Sequence, residues 1–126
     1  MPFRKIVLID DDVEDQEIFK IALNDVSEML ECVTFSDAQQ ALSMLIEKEL
    51  EPDVIFLDLN MPAMTGQEFL AEVKRRHETR QIPVIIFSTS ASPTAISRAK
   101  EMGAKDFITK PDTFDELVDM LKPAIQ

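Results

Sequence analysis

Apolar positions along the chain follow two alternating rhythms. Short, nearly continuous runs of branched and aliphatic side chains occupy Lys5 to Ile9, Glu31 to Phe35, Val54 to Leu57, Val84 to Phe87 and Asp106 to Thr109. Each is too short for a helix and is rich in residues that favour extended backbone, so the pattern predicts five strands. Between them the spacing changes to the three-and-four period of a helix face. It runs through Ile18, Phe19, Ala22, Leu23 and Val26, then Ala38, Ala41, Leu42, Leu45 and Ile46, then Phe69, Leu70 and Val73, then Ile96, Ala99 and Met102. A fifth helix, with Phe114, Leu117, Val118 and Leu121, follows the last strand. Polar punctuation fits these limits: Ser36 is placed to cap the second helix, Thr113 with Glu116 forms a capping-box pattern, and Gly103 is suited to a left-handed close of the fourth.

Strands that are apolar on both faces must be covered on both faces, and strands alternating with helices are joined by right-handed crossovers. The expected fold is therefore α/β: a doubly wound, five-stranded parallel sheet with five helices. The 126 residues are expected to form a single domain, 1–126, with one core.

Charge narrows the function. Thirteen Lys and Arg against 24 Asp and Glu leave a net charge of -11, which is the wrong sign for a phosphate-neutralising surface. Direct nucleic-acid contact is not expected. The single cysteine, Cys32, has no partner for an internal disulfide, and no apolar run approaches the roughly 20 residues needed to cross a bilayer. No membrane insertion and a cytoplasmic location are expected.

The chemistry gathers at the strand ends. Four aliphatic residues, Ile6 to Ile9, run directly into Asp10, Asp11 and Asp12. Two ionised carboxylates about 4 Å apart repel by on the order of 4 kcal/mol at an effective dielectric near 20, so something must offset the cluster. In open α/β sheets ligands bind beyond the carboxyl ends of the strands. Those ends carry Asp10, Asp11 and Asp12 after the first strand, Asp58, Leu59 and Asn60 after the third, Ser88, Thr89 and Ser90 after the fourth, and Lys110-Pro111 after the fifth. Hard oxygen donors with few neutralising side chains suit Mg2+ or Mn2+. Zinc is disfavoured, because His77 and Cys32 are single and lie away from these turns. Carboxylate, divalent cation, hydroxyl and lysine together suit phosphoryl transfer to an aspartate. A free-nucleotide site is disfavoured, since no glycine-rich phosphate loop follows the first strand.

Four motifs in the same order resemble the receiver domain of bacterial two-component response regulators, over essentially the whole chain. They are Ile9-Asp10-Asp11; Asp58-Leu59-Asn60-Met61-Pro62 followed by Gly66; Pro83-Val84-Ile85-Ile86-Phe87-Ser88; and Gly103-Ala104 leading to Phe107-Ile108-Thr109-Lys110-Pro111. The resemblance implies a stand-alone, CheY-like receiver, with the sheet and helices above as the receiver fold and no output domain. By it, Asp58 is the phosphoacceptor and also a metal ligand, Asp11 a direct metal ligand, Asp10 a metal ligand acting mainly through bound water, and Asn60 a ligand through its backbone carbonyl. Ser88 is the switch hydroxyl, Lys110 pairs with the phosphoryl oxygens, the bond before Pro111 is cis, and Phe107 holds the aromatic switch position. The donor would be a sensor histidine kinase or histidine phosphotransfer protein. The output would be a protein target reached through the face of helix four, strand five and helix five, with a homodimer left open. The chain would be a signalling switch rather than an enzyme, limited to self-catalysed phosphoacceptance and slow autodephosphorylation. Ser88 stands where Thr is more usual, Thr89 where Ala or Gly is common, and Phe107 where Tyr is frequent.

Other readings compete. A phosphatase of the haloacid dehalogenase type also forms an aspartyl phosphate but needs a second acid two residues on, where Asn60 stands and offers no proton. A flavodoxin-like cofactor carrier calls for a hydroxyl- and glycine-rich first turn, and a phosphorylation-independent interaction module for none of these residues. For single residues, Asp12 is expected to start the first helix, and Glu14 and Asp15 to be solvated acids on its surface. Phe107 has plain core packing as its rival role. Lys74, Arg75, Arg76 and His77 are expected to complement the C-terminal dipole of the third helix.

Overall fold

The computed structural model describes residues 3–89 and 91–125. The elements are β1 (Lys5–Ile9), α1 (Val13–Val26), β2 (Glu31–Phe35), α2 (Ala38–Ile46), β3 (Val54–Leu57), α3 (Gly66–Arg75), β4 (Val84–Ser88), α4 (Pro93–Glu101), β5 (Asp106–Thr109) and α5 (Phe114–Ile125). All strand pairs are parallel, in the order β2-β1-β3-β4-β5. The chain steps outward from β1 to β2, then returns past β1 to build the other half. The order therefore reverses between β1 and β3, and a crevice opens beyond their carboxyl ends.

Alternation along each strand divides the core in two. Val7, Ile9, Ile55, Leu57 and Ile86 pack under α2, α3 and α4, against residues such as Leu42, Phe69, Leu70 and Ala99. Ile6, Leu8, Phe56, Ile85 and Phe87 face α1 and α5, where Phe19, Leu23, Leu117 and Leu121 meet them. Phe19 is central to that second layer, with its ring centroid 5.1 Å from Phe56 and 5.4 Å from Phe87 in tilted, edge-directed contacts. The strands that must reach the crevice are thus clamped from both sides.

Local capping signals decide some helix ends, and tertiary contacts override others. Gly103 has φ 105°, the left-handed close expected of it after α4. The cap of α2 is Asp37 rather than Ser36: Asp37 has extended backbone and accepts from Gln39 N at 2.9 Å. Ser36 instead accepts a hydrogen bond from the Gln16 amide, a tertiary contact that local sequence does not encode. Thr113 does accept from Glu116 N, at 3.2 Å, while Glu116 Oε1 accepts from the Thr113 hydroxyl. A full reciprocal capping box forms instead at Thr65 and Glu68, at the start of α3. β4 runs one residue further than its apolar run, to Ser88, because Ser88 stays in register with Thr109 of β5. The peptide before Pro111 is trans, not cis. Trans is the lower-energy isomer of an X–Pro bond by about 0.5–1 kcal/mol, and from it Lys110 N still donates to Ser88 O at 2.9 Å.

At the end of α3, Lys74 and Arg75 lie in the last turn, as a C-terminal dipole favours. Lys74 does more than that, since its Nζ donates to Arg80 O at 3.0 Å and Ile82 O at 2.7 Å and so ties the following loop to the helix.

Candidate functional site

The crevice between β1 and β3 holds the acidic residues the sequence placed there. β1 ends by delivering Asp10, whose side chain is fully buried, while Asp11 is exposed at the rim. β3 delivers Asp58, only 6% exposed. One carboxylate oxygen from each of Asp10, Asp11 and Asp58 lies within 4.8 Å of the others.

The orientation of these acids is set by their own turns. Asp10 N donates to Phe35 O at 2.9 Å, anchoring the end of β1 to β2, and Asp10 Oδ1 accepts from Asp12 N at 2.9 Å. Asp58 N donates to Ile9 O at 3.0 Å, and Asp58 Oδ1 accepts from Asn60 N, also at 3.0 Å. Each carboxylate therefore has one oxygen committed to the backbone two residues ahead. Asp12 has φ -89° and ψ 110° and caps α1, accepting from Glu14 N and Asp15 N. That is the helix-start role expected for it, and it leaves Asp12 outside the cluster of three.

Lys110, from the end of β5, closes the crevice. Its Nζ lies 2.7 Å from Asp10 Oδ2, 2.8 Å from Asp15 Oδ2 and 3.1 Å from Asp58 Oδ2. An ammonium has three N–H donors, and here all three have carboxylate acceptors. Phe87 lies beneath it, with the ring centroid 5.6 Å from Nζ, within the range of a cation–π contact. Burial works against the charge on Lys110, but its hydrogen bonds to Asp10 and Asp15, and the attraction of the acids around it, outweigh burial and hold its pKa above the usual lysine value. Asp10 is displaced upward as well, but in its case burial prevails. Its burial raises its pKa above the ordinary carboxylate range, although the hydrogen bond from Lys110 counteracts part of the shift. Of the run of aspartates this lysine meets Asp10 alone, and one cation is thus shared by three acids from three different parts of the fold.

The remaining candidates surround that centre. Ser88 is buried at the end of β4, and its carbonyl receives the Lys110 N–H, so hydroxyl and ammonium belong to adjacent strand ends. Thr89 is exposed beside it, while Ser90 lies outside the described residues. Asn60 is exposed on the loop after β3. Phe107 is half-buried on β5 and packs against the core layer that includes Ala99 of α4, which is also where its rival core role places it. Glu14 is exposed, as expected.

Two contacts at the site go beyond the sequence expectations. Asp15, expected as a solvated surface acid, reaches Lys110; nothing in its local sequence marks it, because only the tertiary fold brings the first turn of α1 to the residue that follows β5. Gln16 is 7% exposed, and its amide Nε2 donates to Asp10 O and, at 3.0 Å, to Ser36 Oγ. A signal for Gln16 did exist, since it lies three residues before Phe19 and seven before Leu23, on the stripe that faces the core.

The residues present fit a divalent cation of the hard, oxygen-loving kind. Three carboxylates converge, one of them open to solvent, and no thiolate or imidazole joins them. Among the described residues, no helix is long and apolar enough to cross a membrane.

Comparison with known proteins agrees with this geometry. The family model of the response regulator receiver domain matches residues 6–122. The chain is 31% identical over 123 residues to the phosphate regulon transcriptional regulatory protein PhoB of Pseudomonas aeruginosa, covering 98% of this chain and 52% of that protein. The chain thus spans about half the length of that relative. Among solved structures, the phosphorylated cyanobacterial phytochrome response regulator RcpA superposes with a TM-score of 0.87 at 31% identity, over 96% of this chain and 90% of that one. The Mn2+-bound response regulator Rcp1 superposes with a TM-score of 0.85 at 26% identity, over 95% and 90% respectively.

Proposed function

Because this chain belongs to the response regulator receiver family, we propose that it is a phosphorylation switch in which Asp58 accepts a phosphoryl group from the phosphohistidine of a sensor kinase or phosphotransfer protein. The observation that carries this reading is the convergence on Asp58 of Lys110 and of two further acids, with carboxylate oxygens within 4.8 Å of one another.

An Asp58 oxygen attacks phosphorus, an O–P bond forms, and the P–N bond to the donor imidazole breaks. The imidazole nitrogen keeps the electron pair and takes a proton. Asp10, Asp11 and Asp58, with the Asn60 carbonyl, would hold Mg2+, which when bound neutralises phosphoryl oxygen charge. The step demands little else of the protein than position and charge. Lys110, already on Asp58 Oδ2, transfers that donor to a phosphoryl oxygen, and the Ser88 hydroxyl donates to another. Asn60 backbone N–H keeps the attacking carboxylate aimed.

The output follows from the same contacts. Ser88 and Lys110 end β4 and β5, so a change in what they bond is felt first along β5 and by α4 and α5 on either side of it. We assign the face of α4, β5 and α5 as the surface that a protein target reads, with Phe107 as its aromatic element.

The test is to mix the chain with acetyl phosphate and Mg2+ and weigh the intact protein. Wild type should gain one phosphoryl group and Asp58→Asn none. Equal labelling of the two, or none of either, would overturn the reading.

A further inference from the structure

The Asp15 carboxylate bears on the chemistry of the site, although it lies outside the three acids whose oxygens converge. We propose that Asp15 is a positioning residue: it anchors Lys110 over the crevice so that the ammonium stays in place while its other two partners change theirs. This rests on the receiver reading above.

The argument begins with donor accounting. Lys110 has three N–H groups and three carboxylate partners, Asp10, Asp15 and Asp58. Asp10 and Asp58 are both in the group suited to a divalent cation, and Asp58 is also the phosphoacceptor. When those two carboxylates are engaged by metal and phosphorus, their hold on Lys110 weakens. Asp15 has neither duty, so its bond to Nζ is the one that persists.

Asp15 is built to hold still. Asp12 caps α1, so Asp15 is the third helical residue, and its own N–H is fixed by Asp12 Oδ1 at 3.2 Å. The first turn of a helix favours a negative charge, which keeps the carboxylate a good acceptor. The helix beneath it is locked by Phe19 and Leu23 in the core. On the other side, Lys110 is tied by its N–H to Ser88 O and rests over Phe87. Asp15 therefore ties Lys110 to α1, an element that supplies none of the three convergent acids.

Without Asp15, a lysine with a flexible four-carbon stem is held only by acids about to be claimed, and its Nζ is free to leave the phosphoryl path. The consequence is a loss of rate rather than of metal binding. Asparagine at 15 keeps a carbonyl acceptor in the same place, whereas alanine removes it.

The experiment uses the full chain as wild type, Asp15→Asn and Asp15→Ala. Initial rates of phosphorylation are followed by intact mass against acetyl phosphate concentration at saturating Mg2+, and Mg2+ affinity is measured separately by calorimetry. The acetyl phosphate P–O bond breaks and acetate leaves with the electron pair. Asp15→Ala should lower the maximal rate by roughly tenfold or more, the scale expected when a positioned group is displaced by about 1 Å. Asp15→Asn should recover most of that rate, and both variants should bind Mg2+ within about twofold of wild type, a difference well under 1 kcal/mol. A structural role alone would move all three readings together. The proposal is overturned if Asp15→Ala keeps the wild-type maximal rate, if Asp15→Asn is as slow as Asp15→Ala, or if Mg2+ affinity falls in step with rate. Wild type that fails to label at Asp58 overturns the receiver reading and this proposal with it, whereas wild type that labels beside an equally fast Asp15→Ala overturns this proposal alone.

Discussion

The α-carbon of Gly66 packs directly against the backbone of Asp58. A methyl group placed on Gly66 would come within 2.5 Å of the Asp58 carbonyl oxygen and 2.6 Å of Leu59 Cα. Both neighbours are main chain, so neither can swing away, and the Gly66 N–H is itself bonded to Leu59 O at 3.2 Å. The start of α3 and the loop carrying the proposed phosphoacceptor are therefore in one rigid contact. Gly66→Ala should cost about 1–3 kcal/mol by urea unfolding, the usual range for overpacking. It should also slow labelling of Asp58 by acetyl phosphate, because relieving the clash pushes the start of α3 and that loop apart. A variant with wild-type stability and labelling would show that the loop has room to spare.

Lys110 is the cation that permits two buried carboxylates to share a crevice. Asp10 is fully buried and the Asp58 side chain is 8% exposed, so removing their common partner leaves two acids facing each other at low exposure. Lys110→Met keeps the length of the stem and removes the charge. It should destabilise the chain by on the order of 3 kcal/mol in metal-free buffer, the scale of breaking a buried ion pair from one side. Saturating Mg2+ should then stabilise the variant more than it stabilises wild type, since ligand binding to the folded state adds to stability and the variant has more repulsion to relieve. Equal Mg2+-induced shifts in melting temperature would argue that the lysine, and not the cation site, is dispensable to the charge balance.

A different carboxylate carries a pH signature. Asp53 Oδ2 accepts from Arg4 N at 2.9 Å and Lys5 N at 2.8 Å, and these two bonds hold its pKa below the ordinary aspartate value. A depressed pKa means that the folded state prefers the ionised form. The stabilisation is therefore present above the unfolded-state pKa of about 4 and is lost as pH falls through the lower folded value. Asp53 is exposed, so solvent screening trims the effect to about 1 kcal/mol. Urea unfolding of wild type and Asp53→Ala should differ by that amount at pH 7 and converge as pH falls below about 4 and through the lower folded value. A gap that stays constant with pH would assign the role of Asp53 to packing.

What could be read from sequence and what could not divide along a physical line. Strands β1, β2, β3 and β5 have the limits that their apolar runs imply; in the central pair, β1 and β3, nearly every position is buried and none blurs the edge. Asp10, Asp11, Asp58 and Lys110 come to one place because strand ends share one edge of a parallel sheet, whatever the details of packing. The misreadings concern side chains whose partners lie far along the chain. Ser36 and Asp37 are adjacent and both are good caps, and only the Gln16 amide decides which is free to cap α2. Asp15 looks like any acid in the first turn of a helix until the fold brings the Lys110 ammonium to it from 95 residues further along the chain.

Gln16 offers the sharpest separation of fold from site. Its buried amide bonds the carbonyl of Asp10, so it holds the turn that aims the Asp10 carboxylate rather than the carboxylate itself. Its second bond, to Ser36 Oγ, ties the same amide to the end of β2. Gln16→Leu nearly conserves volume while stranding the Asp10 carbonyl in a buried position, so it should cost about 1–3 kcal/mol in unfolding experiments. Groups that orient a ligand typically matter to metal affinity by about tenfold or more when removed, so Mg2+ binding measured by calorimetry should weaken by roughly tenfold. Ser36→Ala is the control, because it leaves the bond from Gln16 to Asp10 intact and Ser36 itself is exposed. It should bind Mg2+ nearly as wild type does. If the two variants weakened Mg2+ binding equally, the link from α1 to β2, and not the grip on the Asp10 turn, would be what shapes the acidic crevice.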